Sequence, residues 1–256
     1  MAINPKQFGT DEKYFADNKY MTNSKIKRFM DCEVKGLEPF GKPSEAMQIG
    51  SYVDSYVSGT LEQFRKDNPD IFYKNDKTKL KTGFRKADEI CEFIDNDNTI
   101  QQFLSGNKQT VVTGEIAEVP FKAKLDIYSK GIAINDLKII RSLTDRQGNY
   151  YDFITQWRYD IQMSIYQELI YQNTGEKLPC FIVAITKEDT INSAIIKIDQ
   201  PTLDFALEEV EQFAPRAYDV MIGKEEPIGC GICDICIEHR EETPILTLGD
   251  LQGGGY

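Results

Sequence analysis

No run of apolar residues in this sequence comes near the ~18 that a helix needs to cross a bilayer, although 41% of its 256 residues are hydrophobic. No basic-then-apolar leader precedes Met21 either. Neither membrane insertion nor secretion is therefore expected, and a cytoplasmic location is. Positive charge is also in deficit: 30 Lys and Arg face 41 Asp and Glu, for a formal net charge of −11. Proteins that merely coat nucleic acid neutralise its phosphates with Lys and Arg, and this balance argues against that class. It leaves room for an enzyme that gathers acids around a metal ion while local basic patches guide a charged substrate. One such patch interleaves Lys74, Lys77, Lys79, Lys81, Arg85 and Lys86 with Phe72, Tyr73 and Phe84. Cations beside aromatic faces suit single-stranded or frayed DNA, and a solvated loop has the same composition. The length suffices for one large α/β domain with a covered core.

The most informative stretch runs from Thr113 to Tyr166. Val111–Val119, Phe121–Tyr128 and Ile132–Ile140 are rich in β-branched and aromatic residues and are broken by Pro120 and by Ser129-Lys130-Gly131, which predicts three short strands. The last two form a hairpin. Side chains alternate across a strand, so Asp136 and Lys138 share a face, and the turn returns Asp126 to their side. Two carboxylates and an amine thus converge. Paired carboxylates with a nearby carbonyl are the ligands of a hard ion such as Mg²⁺ or Mn²⁺, and two acids so close repel unless a cation lies between them. Taken alone, the D-x-K triplet is also a common pattern of surface hairpins. Downstream, Arg158, Gln162 and Tyr166 fall at i, i+4, i+8 and predict one polar helical stripe. Trp157, Ile161, Ile165 and Leu169 predict an apolar stripe packed on the sheet.

Elsewhere, residues 1–20 are polar and irregular, with Tyr14, Phe15 and Tyr20 as anchors. Ser24 is read as the cap of a short helix ending near Cys32. Pro43-Ser44-Glu45 opens a longer helix running to Phe64. A loop over 69–83 is followed by helices over 84–94 and 99–104. Residues 142–149 form a polar connection. Cys180–Thr186 reads as a central strand buried on both faces, with Ile191–Ile198 beside it. A helix from Pro201 should kink or break at Pro215.

Six cysteines in such a chain read as metal ligands or buried thiols rather than disulfides. Cys91 and Cys180 lie in apolar runs and are expected to be buried. Cys230, Cys233 and Cys236 follow C-x-x-C-x-x-C spacing, soft ligands suited to an iron–sulfur cluster or zinc. His239 could complete a Cys₃His zinc site with them.

These motifs together resemble the PD-(D/E)xK nuclease superfamily, and within it the RecB-like and RecE-like DNA exonucleases. The matching residues are Glu115, Asp126, Asp136, Lys138, Gln162 and Tyr166, and the string Arg158–Gln162 is similar to phage recombination exonucleases. Lys124 and Ile139 differ from the Gly and Thr that many members carry there. The resemblance implies an α/β restriction-endonuclease-like core with a mixed central sheet, an N-terminal helical extension and a C-terminal cysteine lobe. It implies one nuclease domain over 1–256, mainly helical over 1–105, with the catalytic core over 106–222 and the cysteine tail over 223–256. It further implies Mg²⁺- or Mn²⁺-dependent hydrolysis of DNA phosphodiesters, exonucleolytic and serving phage or prophage recombination. The partners implied are linear DNA, a single-strand annealing protein and further copies of the chain. Glu115, Asp126, Asp136 and the Leu137 carbonyl would hold metal, Lys138 would orient the attacking water, and Gln162 and Tyr166 would position the strand or the ligands. Asp54 occupies the place of a family His in G-x-x-x-H and is a further candidate ligand. Cys32 matches an N-terminal cysteine that, in AddB-type and CRISPR adaptation nucleases, joins three C-terminal ones around a [4Fe–4S] cluster. The alternative is a nuclease-fold component that binds DNA or protein without cutting.

Overall fold

Thr22, in extended backbone, accepts the Lys25 N–H on its Oγ1 at 3.3 Å and so opens α1 (Asn23–Asp31). Ser24, the expected cap, sits instead in the first turn, because the side chain that reaches an orphan N–H belongs to Thr22. In the computed structural model, residues 13–14, 17–240, 243, 245 and 247–249 are described; Phe15 lies outside them. Cys32 is the extended hinge between α1 and α2 (Glu33–Leu37). Ser44 caps α3 (Glu45–Val57) through the Met47 N–H, as its sequence predicts. That helix stops earlier than expected. Gly59 turns at φ +76°, and α4 (Leu61–Asp67) starts afresh. The expected loop contains a small hairpin of β1 (Phe72–Tyr73) and β2 (Asp76–Leu80), before α5 (Thr82–Asn96) and α6 (Asn98–Phe103).

Five strands form the main sheet in the order β3 (Asn107–Ile116), β4 (Val119–Ser129), β5 (Ala133–Ile140), β6 (Cys180–Thr186) and β7 (Ser193–Ile198). Only β5 and β6 run parallel, so the sheet is mixed. A parallel neighbour needs a crossover. It is made by α7 (Phe153–Gln156) and α8 (Tyr159–Thr174). Helices α1, α8 and α9 (Gln200–Met221) cover one face, joining Phe121, Leu125, Ile134, Ile165 and Val210 in one core. Helices α3, α5 and α6 cover the other, where Tyr52, Phe84, Ile90, Leu137 and Val183 pack. Each such side chain contributes about 1.5–3 kcal/mol on burial. A last short helix, α10 (Asp234–Glu238), carries Cys236. No helix among the described residues is long and apolar enough to cross a membrane.

Two expectations need correction. Helix α9 continues through Pro215, whose flanks Ala214 and Ala217 remain buried against α8 and the sheet. Trp157 is 58% exposed and precedes α8 instead of lying on its apolar stripe, because Arg158 adopts left-handed backbone at φ +52° and breaks the chain between α7 and α8. Helix α8 itself is buried from Asp160 to Gln167, with Gln162 and Tyr166 turned toward Asp136 as the polar stripe predicts.

Candidate active site

Strands β4 and β5 pair only at Ile127–Ser129 with Asn135–Ala133 and then part, while β5 stays in register with β6 from Ile134 to Ile140. Parting strands leave a backbone donor without its ladder partner. The Leu137 N–H finds it in Asp126, donating to Oδ2 at 3.2 Å. Asp136, next along β5, is fully buried. Its Oδ1 accepts the Gln162 Nε2 at 2.6 Å, and its Oδ2 is ion-paired with the Lys138 ammonium and has no hydrogen-bond donor besides. The three charged groups therefore meet where the sheet opens.

Their electrostatics are those of crowded charge in a dry place. Burial, and then the charge of Asp136, push the Asp126 carboxyl well above the usual carboxylate range, with Asp54 adding and Lys138 opposing. Burial alone would pull Lys138 down. Asp136 and Asp126 outweigh it and hold the ammonium above its ordinary value. Two acids facing one ammonium leave an excess of negative charge that suits a divalent cation, and an oxygen donor set suits a hard one. Asp54, on α3, lines the same cleft as Asp126, Leu137 and Lys138. Both its oxygens accept from Gln109 Nε2, at 3.1 and 3.0 Å. Gln109 has left-handed backbone at φ +50° and lies between the Lys108–Ile127 and Thr110–Leu125 pairs of the β3–β4 register, a neighbour with no mark in the sequence.

Glu115 is not part of this group. It is exposed and pairs with Pro120 near the far end of the β3–β4 hairpin. Six residues of extended chain, about 20 Å, separate Pro120 from Asp126. Gln162 and Tyr166 do belong. They are buried beneath the acids, Gln162 at the floor of the cleft. Gln162 donates from Nε2 to the Tyr166 hydroxyl at 3.1 Å as well as to Asp136; that hydroxyl also accepts from Asn23 Nδ2 at 3.1 Å and donates to the Lys124 carbonyl at 3.2 Å. They orient Asp136 and brace β4 against α8.

Above the acids lies an open cleft of about 1300 Å³ lined by Arg141, Arg146, Lys187, Trp157 and Tyr159 among others. Arg141 and Arg146 are exposed and form no ion pair among the described residues. Lys27 donates to the Trp157 carbonyl, and burial, then Lys138, pull its ammonium down to about 8. Sequence reading missed these basic groups because they come from segments far apart in the chain: α1, the connection after β5 and the residue after β6. The expected basic patch contributes only at its edge, where Arg85 and Lys86 line a smaller hollow that shares Lys187 with the cleft. Phe84 is core, 2% exposed, with its ring 5.9 Å from that of Tyr52, and is not a stacking platform.

Far along the chain, Cys32, Cys230, Cys233 and Cys236 converge, with all four sulfurs within 4.8 Å of one another. The Cys230 N–H donates to Cys32 Sγ at 3.4 Å and the Cys233 N–H to Cys230 Sγ at 3.3 Å. The tail is held there by Glu33, whose carboxylate takes Arg216 at 2.9 Å and the Ile228 N–H at 2.7 Å. His239 stays outside the group, with Nδ1 2.8 Å from the Ile235 carbonyl, so the Cys₃His alternative fails. Cys91 and Cys180 are buried thiols as expected, both pushed up to about 12 by desolvation.

Residues 22–239 match the family model described as a PDDEXK-like domain of unknown function, DUF3799. A crystal structure described as "Putative exonuclease" from Eubacterium rectale is similar over 99% of both chains, at 38% identity and a TM-score of 0.85. No curated protein matches. The chain belongs to the PDDEXK-like DUF3799 family, within the PD-(D/E)xK nuclease superfamily.

Proposed function

We propose that this protein is a Mg²⁺- or Mn²⁺-dependent deoxyribonuclease that digests linear DNA from an end, in phage or prophage recombination. The observation that carries the reading is the meeting of Asp126, Asp136 and Lys138 at the opening between β4 and β5, beneath a cleft bearing Arg141, Arg146 and Lys187. Asp126, Asp136, the Leu137 carbonyl and Asp54 would hold the ion. Bound there, a divalent ion supplies Lewis acidity toward the phosphate and lowers the pKa of water. Gln162 turns Asp136 so that one oxygen is engaged and the other faces Lys138. Lys138, kept protonated by the two acids, acts as a fixed positive charge for the attacking water or the scissile phosphate. The arginines and Lys187 draw the DNA backbone in. The recombination role rests on the likeness of Arg158–Gln162 to phage recombination exonucleases, and the exonuclease reading also on the name of the Eubacterium rectale relative.

The test is digestion of end-labelled linear duplex, of single strands and of covalently closed circles, with Mg²⁺ and with EDTA. Linear DNA should lose its label with Mg²⁺ only, and closed circles should survive. Asp136→Ala and Lys138→Ala should each lose roughly 10²-fold or more in kcat. Turnover unchanged in both variants would sink the reading in favour of a binding component.

A further inference from the structure

We infer that Cys32, Cys230, Cys233 and Cys236 hold a single tetrahedral Zn²⁺, in place of the four-iron cluster that family resemblance implies. The argument is one of spacing. Around zinc, bonds of about 2.3 Å at tetrahedral angles set thiolates about 3.8 Å apart. Here the Cys32 and Cys236 sulfurs are 3.6 Å apart and every pair lies within 4.8 Å. A four-iron cubane bonds each thiolate to a different iron, with sulfides between the irons, and so requires thiolates spread wider than around one ion. The sulfurs of this chain enclose room for one atom.

The local backbone supports the same occupant. Gly231 takes φ +75° inside the first C-x-x-C turn, and the Cys233 N–H donates to Cys230 Sγ across that turn. Such N–H donors orient thiolates and offset their charge around a metal. Gly229 is pressed in as well: a Cβ there would lie 3.0 Å from Cys236 Sγ. The fourth ligand comes from the α1–α2 hinge, and the Glu33–Arg216 pair holds the two segments together independently of the thiols. Zinc has no redox chemistry, so the centre ties the C-terminal segment to α1 and α2 and carries no electrons. This inference does not rest on the nuclease reading.

The test uses the full chain, expressed with iron and zinc both supplied and purified without oxygen. Elemental analysis should give about one zinc per chain and a colourless protein. Exchange with Co²⁺ should give the intense visible bands of tetrahedral thiolate cobalt. Cys233→Ser should lower zinc affinity at least about tenfold in competition with a chelator, since a direct ligand matters more than the outer groups that cost that much. Cys236→His, a Cys₃His set that zinc accepts, should keep its ion. A brown protein with about four irons, a chain without metal, or an affinity unchanged by Cys233→Ser would each overturn the assignment.

Discussion

Gln162 makes the clearest case for a side chain acting through another. It touches Asp136 and Tyr166 and is buried at the floor of the cleft, with its Nε2 engaged by those two side chains. Gln162→Ala should therefore cost about 10–100-fold in activity or metal affinity. Raising Mg²⁺ should restore part of the loss, and a loss confined to KM for DNA would contradict the positioning role. Lys27 allows a test of pH. Its folded pKa of about 8 lies below the ordinary 10.5. Below about pH 8 it is charged in both states and the burial penalty is full. Between there and 10.5 the unfolded chain binds more protons, so stability rises with pH. The Tm advantage of Lys27→Met over wild type should accordingly shrink from about pH 7 to about pH 10; a constant gap would remove Lys27 as its source. Asp126, Asp136 and Lys138 could be grouped from strand alternation and one short turn, since both are local properties. Gln109 could not, because its reach to Asp54 spans 55 residues and depends on one left-handed backbone angle.

Among elements, the α1–α2 corner is closely packed against a ring fixed in the core. A Cβ on Gly36 would lie 2.5 Å from the Phe29 ring, which is 4% exposed and fixed in the core. Gly36→Ala should destabilise by about 1–3 kcal/mol, as overpacking does, lowering Tm by roughly 2–4 °C per kcal/mol. An unchanged Tm would show that the corner yields. Caps and strands were largely readable: Ser44 opens α3 and Cys180–Thr186 is an inner, buried strand. Errors came where tertiary packing overrode a local rule. Pro215 passes inside α9 because burial of Leu203, Val210 and Val220 on both sides outweighs one lost hydrogen bond. Helix α8 kept its expected site side, and because β3, β4, α1 and α9 pack around it, Gln162 and Tyr166 bond inside the protein.

For the whole molecule, a net charge of −11 coexists with a cleft whose lining gathers Lys138, Arg141, Arg146 and Lys187 around the acids. Arg141→Ala and Arg146→Ala should weaken DNA binding and lower the salt slope of log K by about 1 each, with kcat at saturating DNA retained. An unchanged slope would move the DNA path elsewhere. By itself the sequence determined the kinds of chemistry available: acids and an amine on adjacent strands, and thiols at metal-binding spacing. These follow from residue type and from periods of two and 3.6, which act over a few residues. Only the tertiary structure decided which groups meet. It brought Asp54 to the acids and left Glu115 exposed about 20 Å away, buried Phe84, turned Trp157 outward and set four sulfurs within 4.8 Å. Those outcomes depend on how helices and strands far apart in the chain pack on two faces of one sheet, and no local pattern encodes that.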